Sequence, residues 1–168
     1  MILVTGFGPF GELAENPSGA LALAVDGCEV RGVPVRGIVL PVSYQRAPCQ
    51  TADAAAHARL VVGLGVAPTR EGVQVECTAV NRCSRDDIDG VCPADLGEGA
   101  PSLDVRLDVE ALAAALGGTL SRDAGSYVCN AWLYTSLRDL AVPAVFVHVA
   151  SCQALSPGRL LAGLEVLL

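Results

Sequence analysis

Short apolar runs alternate along this chain with stretches whose apolar positions recur at helical spacing. Met1 to Thr5 is the first run and predicts a buried strand. Gly6-Phe7-Gly8-Pro9-Phe10-Gly11 predicts a glycine-rich loop after it. Asn16-Pro17-Ser18 supplies a cap residue followed by proline at the first helical position, so a helix is expected through Ala20 to Val25, ending at Gly27. Val35 to Val42 reads as a second strand, Ala47 to Leu60 as an alanine-rich helix, and Leu60 to Leu64 as a third strand. From Gly72 to Val80, Val73, Val75, Cys77 and Ala79 alternate with Gln74, Glu76, Thr78 and Val80, which predicts a strand with one face toward the core. Residues 82–106 carry Asp, Gly and Pro signals and predict a long loop; such loops are uncommon in compact domains and often functional. Asp108 to Leu116 predicts a helix stopped by Gly117-Gly118, and Thr119 to Ser121 a short strand. Leu133, Leu137 and Leu140 predict a helix over Val128–Leu140, Ala144 to Val149 a strand, and Ser156-Pro157 the start of a last helix through Leu168.

Composition adds the class. The chain has 168 residues, 52% hydrophobic and 17% charged, which predicts one globular domain over 1–168 with room for a core. No linker or repeat interrupts the alternation of strands and helices. The expected fold is α/β, a three-layer sandwich with a mostly parallel central sheet and helices on both faces. A net charge of −7 argues against general binding to nucleic acid or anionic membrane, both of which need a basic footprint. All 11 basic residues are arginine, which excludes Schiff-base chemistry and a P-loop lysine. No apolar run reaches the roughly 20 residues of a membrane span. The apolar start carries no basic region before it and no small-residue cleavage site after it, so the expected location is the cytoplasm. The seven cysteines are odd in number and form no CxxC, which fits free thiols in a reducing compartment. Cys77, Cys83 and Cys92 come nearest to a zinc-ligand group but lack finger-like spacing and a nearby histidine; no metal or cofactor is expected.

The chemistry concentrates at two places. Cys129 begins the helix 128–140, and His148 lies near the end of the strand that follows it. In a β-α-β unit the start of the helix and the end of the next strand share one edge of the sheet, the edge where open α/β sheets hold ligands. A helix N-terminus favours thiolate, an adjacent imidazolium favours it further, and the free N–H groups there can hold an oxyanion. The same pattern also fits a buried structural cysteine. Glu76 can orient the imidazole as a third member, or can belong to the wet face of its strand with Gln74 and Thr78. The loop after the first strand lacks the glycine spacing of phosphate-binding turns. It holds two of the three phenylalanines, Phe7 and Phe10, which suit a small neutral ring or ordinary core packing. Arg85 lies in the long loop beside Asp86-Asp87, where it is either solvated or near enough to polarise a carbonyl. His57 reads as a surface or packing histidine.

Four segments in order resemble the pyrrolidone-carboxylate peptidases, the pyroglutamyl peptidase I family of cysteine peptidases: Thr5 to Gly11 with Asn16-Pro17; Gly63-Leu64 through Glu76 to Asn81; Ala124 to Asn130; and Phe146 to Val149. The resemblance implies an exopeptidase acting on peptides with an N-terminal pyroglutamate. It makes Cys129 the nucleophile, His148 the base and Glu76 its partner, and puts Phe7, Phe10, Tyr127 and Val128 around the lactam ring. The chain departs from the family in three places. The family carries an arginine five positions after the asparagine matching Asn81; here that position is Asp86 and Arg85 is one earlier, so either the loop is shifted or the oxyanion contact is changed. The 82–106 loop is shorter. After His148 the proline-aromatic segment is replaced by Val149-Ala150-Ser151-Cys152. The family often self-associates, and the apolar run Leu164 to Leu168 is compatible with a homo-oligomer as well as with packing in its own core. Three other readings stay open: a cysteine amidase or peptidase with an altered pocket, a catalytically weak binding or assembly protein on the same fold, and a cysteine-rich metal or redox protein.

Overall fold

The computed structural model describes residues 1–11, 14–67, 69–150 and 154–168. In chain order the elements are β1 (Ile2–Phe7), α1 (Pro17–Ala24), β2 (Glu29–Val30), β3 (Val33–Leu40), α2 (Arg46–Ala54), β4 (Leu60–Val66), β5 (Val73–Glu76), β6 (Thr78–Val80), β7 (Ser102–Asp104), α3 (Val109–Ala115), β8 (Thr119–Ser121), α4 (Val128–Asp139), β9 (Ala144–Val149) and α5 (Pro157–Leu164). Seven strands form one sheet in the order β2-β3-β1-β4-β9-β5-β8, and β6 pairs with β7 in a separate ribbon. Strands β3, β1, β4 and β9 run parallel. Strand β5 is antiparallel to β9, and β8 runs parallel to β5.

The sheet is mostly parallel and covered on both faces. Side chains alternate across β9: Val145, Val147 and Val149 share one core with Leu112 and Leu116 of the α3 region and Leu160 and Leu164 of α5. Phe146 points the other way, into a core with Ala47 of α2 and Trp132 and Leu133 of α4. Every residue of β1 and β9 is buried, which is why both read as unbroken apolar runs. The expected three-layer α/β architecture is what the chain forms.

Several boundaries differ from the sequence expectation, each for a local reason. Strand β1 runs on to Phe7, because two glycines let it meet α1 backbone to backbone: a Cβ at Gly6 would lie 2.0 Å from the Ser18 carbonyl oxygen, and one at Gly19 would lie 2.5 Å from that of Phe7. The expected helix from Ala47 to Leu60 stops at Ala54, tightens into a 3-10 turn over Ala55–His57 and turns extended at Ala58 so that Leu60 can open β4. His57 is exposed in that turn, before β4 begins.

The expected strand from Gly72 to Val80 breaks at Cys77. The Cys77 N–H donates to the Ser121 carbonyl, while its own carbonyl accepts from Val105 N–H, so the chain passes there from the main sheet to the ribbon. The long loop of residues 82–106 contains β7, and polar side chains organise the rest of it. The buried Asp87 carboxylate accepts from the N–H groups of Tyr44, Asp89 and Val91. At the C-terminus, Leu164 is buried, Leu167 and Leu168 pack against the same core, and Val166 is exposed. Ser151 and Cys152 lie outside the described residues.

Candidate active site

The parallel strands end at one rim, and α4 begins there. Cys129 is the second residue of α4. Its helix is set in place by Asn130, whose side chain both accepts from the Val80 N–H (2.8 Å) and donates to the Val80 carbonyl (2.8 Å), as a second strand would. The turn before α4 carries Gly125 at φ +80°, a conformation that L side chains rarely adopt. On β4, Gly63 faces Phe146 and Gly65 faces His148 across the parallel register. A Cβ at Gly65 would lie 2.7 Å from the Phe146 ring and 2.9 Å from Cys129 Sγ, so the missing side chain is space that the sulfur uses.

The antiparallel pairing of β5 with β9 places the carboxylate. Gln74 lies opposite His148, and Glu76, two residues on, therefore shares the face of β5 on which His148 projects, diagonally across the pair. His148 Nδ1 is 2.7 Å from Glu76 Oε1. Both are buried, Glu76 with no exposed surface and His148 5% exposed. Burial pushes the imidazole's affinity for a proton down, but hydrogen bonds and charge from Cys129 and Glu76 more than offset it, and the His148 pKa rises to about 9. Burial likewise works against the Glu76 carboxylate, and the His148 hydrogen bond, the nearby Ser121 hydroxyl and the charges of His148 and Arg70 together hold its pKa below the usual range. The reading of Glu76 as part of a wet strand face is thereby overturned: β5 lies between β9 and β8, with helices over the sheet.

Cys129 and His148 line one pocket of about 120 Å³, and Phe7, Phe10, Tyr127, Val128 and Arg85 line it too. Glu76 lies behind His148 and is not part of the lining. Phe10 packs tilted and Tyr44 edge-on against Tyr127, with ring centroids 6.3 and 5.9 Å away, and the Arg85 guanidinium sits 3.8 Å from the Tyr127 ring centroid. Tyr44 Oη also donates to the Arg85 carbonyl at 3.0 Å. Arg85, rather than Asp86, is therefore the loop residue that reaches the pocket, and Asp86 is exposed. Among the other cysteines, burial raises Cys83 to about 11 and pushes Cys77 up, so neither ionises near neutral pH.

Three contributors were not among the expected site residues. Asn16 also lines the pocket; it donates to the Gly8 carbonyl and accepts from the Ser18 N–H and hydroxyl, which pins the loop that follows Phe7 and bears Phe10. Asn130 anchors the helix of Cys129. Arg70, in the segment between β4 and β5, donates through Nη1 to Glu76 Oε1 at 2.6 Å.

Fold and pocket together define a class: three-layer α/β proteins with a thiol and a carboxylate-backed imidazole at the C-terminal rim of the parallel strands. A sequence profile of the pyroglutamyl peptidase family matches residues 1–152. The chain is 33% identical to the pyrrolidone-carboxylate peptidase of Thermococcus litoralis, over 88% of this chain and 75% of that one. It is 31% identical to that of Halalkalibacterium halodurans, over 93% and 86%. The crystal structure of pyrrolidone carboxyl peptidase from Thermus thermophilus superposes with a TM-score of 0.84 at 32% identity, covering 99% of this chain and 98% of that one. The chain belongs to the pyroglutamyl peptidase family, a family of cysteine peptidases.

Proposed function

We propose that the protein is a cysteine exopeptidase that removes N-terminal pyroglutamate from peptides, with Cys129 as nucleophile, His148 as general base and acid, and Glu76 as the partner of His148. The observation that carries this reading is the small apolar pocket that ends at both Cys129 and His148. Pyroglutamate is a five-membered lactam without a charged amine. A wall of Phe7, Phe10, Tyr127 and Val128 accepts it at little cost, whereas an ordinary charged N-terminus would lose its hydration there without a paired anion.

The Cys129 proton rests on His148 in a thiolate–imidazolium pair, and the thiolate attacks the pyroglutamyl carbonyl carbon. The carbonyl oxygen becomes an oxyanion, which the free N–H groups at the start of α4 and the Arg85 side chain stabilise. The imidazolium, held by Glu76, gives its proton to the leaving amine as the C–N bond breaks, leaving an acyl-thioester. Neutral His148 then takes a proton from water, the hydroxide adds to the thioester, and free pyroglutamate and the thiol are released. The chain's own residues supply every proton transfer.

The test is a pyroglutamyl chromogenic amide assayed beside prolyl and glutaminyl amides. Wild-type protein should turn over the pyroglutamyl amide by preference and keep its activity in the presence of chelators. Cys129→Ala should lower kcat by about four orders of magnitude or more. Normal turnover by Cys129→Ala would dispose of the mechanism, and a preference for another amide would reassign the substrate.

A further inference from the structure

Glu76 is held by only one of its two oxygens. Oε1 receives both His148 Nδ1 at 2.7 Å and Arg70 Nη1 at 2.6 Å, while the buried Oε2 has no hydrogen-bond partner among the described residues. Arg70 Nη1 also reaches Gln74 Oε1 at 2.8 Å and Ser121 Oγ at 3.3 Å, and Nη2 donates to the Asp123 carbonyl. One guanidinium therefore ties together β5, the end of β8 and the turn that leads into α4. Asp123 in turn accepts from the Gly125 N–H, two residues before Tyr127 caps the helix of Cys129. The donors of a guanidinium are fixed in a planar fork, so Arg70 can hold two acceptors at a set separation where a lysine holds one point.

We infer that Arg70 is a positioning residue for the reaction: it fixes the carboxylate that orients His148 and, through the Asp123 carbonyl, the turn that presents Cys129. This rests on the proposed roles of Cys129, His148 and Glu76. Without Arg70 the carboxylate keeps a single hydrogen bond and rotates about its side-chain bond, and the imidazole loses its fixed direction. The charge effect has a definite sign. The ionisable groups facing Glu76 are His148 from β9 and Arg70; those facing His148 are Glu76 and Cys129 from α4. Arg70 is the one permanent cation among them, and it shares the oxygen that His148 uses. Removing it leaves the carboxylate's charge wholly to the imidazole, so His148 should hold its proton to higher pH.

The chain has two histidines, so ring resonances resolve His148 from His57 in an NMR titration that needs no substrate. In Arg70→Met the His148 midpoint should rise by about half a pH unit or more. Its kcat for the pyroglutamyl amide should fall by about ten- to a hundredfold with KM little changed. In Arg70→Lys the midpoint should stay at the wild-type value because the charge is kept, while kcat remains low because the fork to the Asp123 carbonyl is lost. A His148 midpoint that falls or stays put in Arg70→Met would overturn the electrostatic half, since mere loosening of the fold moves it down. Wild-type kcat in Arg70→Lys would overturn the bridging half, and this arm stands if the Met variant does not fold. Failure of wild-type protein to hydrolyse the amide would sink the proposed function, and the substrate-free titration would still decide on Arg70.

Discussion

A carboxylate without solvent keeps its charge only when cations offset the cost of burial. Glu76 has two such partners, His148 and Arg70, on one oxygen. Replacing it with glutamine removes one of the two groups that hold the imidazolium against burial and leaves Cys129 alone to do so. The alkaline limb of kcat/KM, expected near the His148 pKa of about 9, should move to lower pH in Glu76→Gln. Activity at neutral pH should fall by about two orders of magnitude or more. A pH–rate profile measures both, and an unmoved alkaline limb would remove Glu76 from the mechanism. Cys129 and His148 were legible as a pair because the order helix start, strand, strand end fixes a shared rim without any knowledge of side chains. Glu76 was not, since period-two alternation cannot tell a solvated carboxylate from one buried against a histidine and an arginine. The residues left both readings of it open, and only the family resemblance chose between them. Arg70 and Asn130 lie in segments of that resemblance but were given no role: a loop arginine and one helical asparagine have no periodicity to break.

At the scale of elements, β4 is shaped by what it omits. Gly63 and Gly65 lie on the same face of the strand, under Phe146, Trp132 and Cys129. Phe146 in turn packs edge-on against His148 with ring centroids 4.9 Å apart, so a side chain at either glycine displaces the ring beside the imidazole. Gly65→Ala should lower kcat by about tenfold or more through misplacement of Cys129 and His148, and cost about 1–3 kcal/mol of stability from overpacking. Gly158→Ala in α5, where an added methyl meets nothing within 4 Å, should leave activity unchanged. Steady-state kinetics and urea unfolding of the two variants make the comparison; equal kinetics in both would show that the space over β4 is not used. Long apolar runs such as β1 and β9 were legible because both of their faces are buried. The short edge strand β2 and the ribbon strand β7 were not, being two and three residues long with mixed exposure. The break at Cys77 escaped detection for a different reason. Alternation continues through it, and only pairing with distant residues 105 and 121 redirects the chain.

Across the whole molecule, the alternation of strands and helices made the three-layer sandwich legible, because right-handed crossovers leave few other ways to cover both faces of a parallel sheet. The antiparallel insertion of β5 beside β9 was hidden, yet it is what brings Glu76 to His148, so the fold class was readable at a coarser level than the site it builds. That insertion also couples folding to pH. The folded-state pKa of His148, about 9, lies above its ordinary value of 6.5. Its ion pair therefore contributes stability that is fully present below pH 6.5 and is lost as pH rises through 9. Glu76 acts in the opposite direction, since its depressed pKa gives stability that is present above the ordinary carboxylate range and is lost as pH falls through the folded value. The unfolding free energy should accordingly decline between pH 6.5 and 9, by about 3 kcal/mol for a shift of this size. In His148→Gln that decline should vanish, because no imidazolium remains to be neutralised. Urea unfolding of both proteins across this window decides the matter: an equal decline in His148→Gln would place the loss elsewhere in the molecule and leave the buried imidazole uncharged at neutral pH.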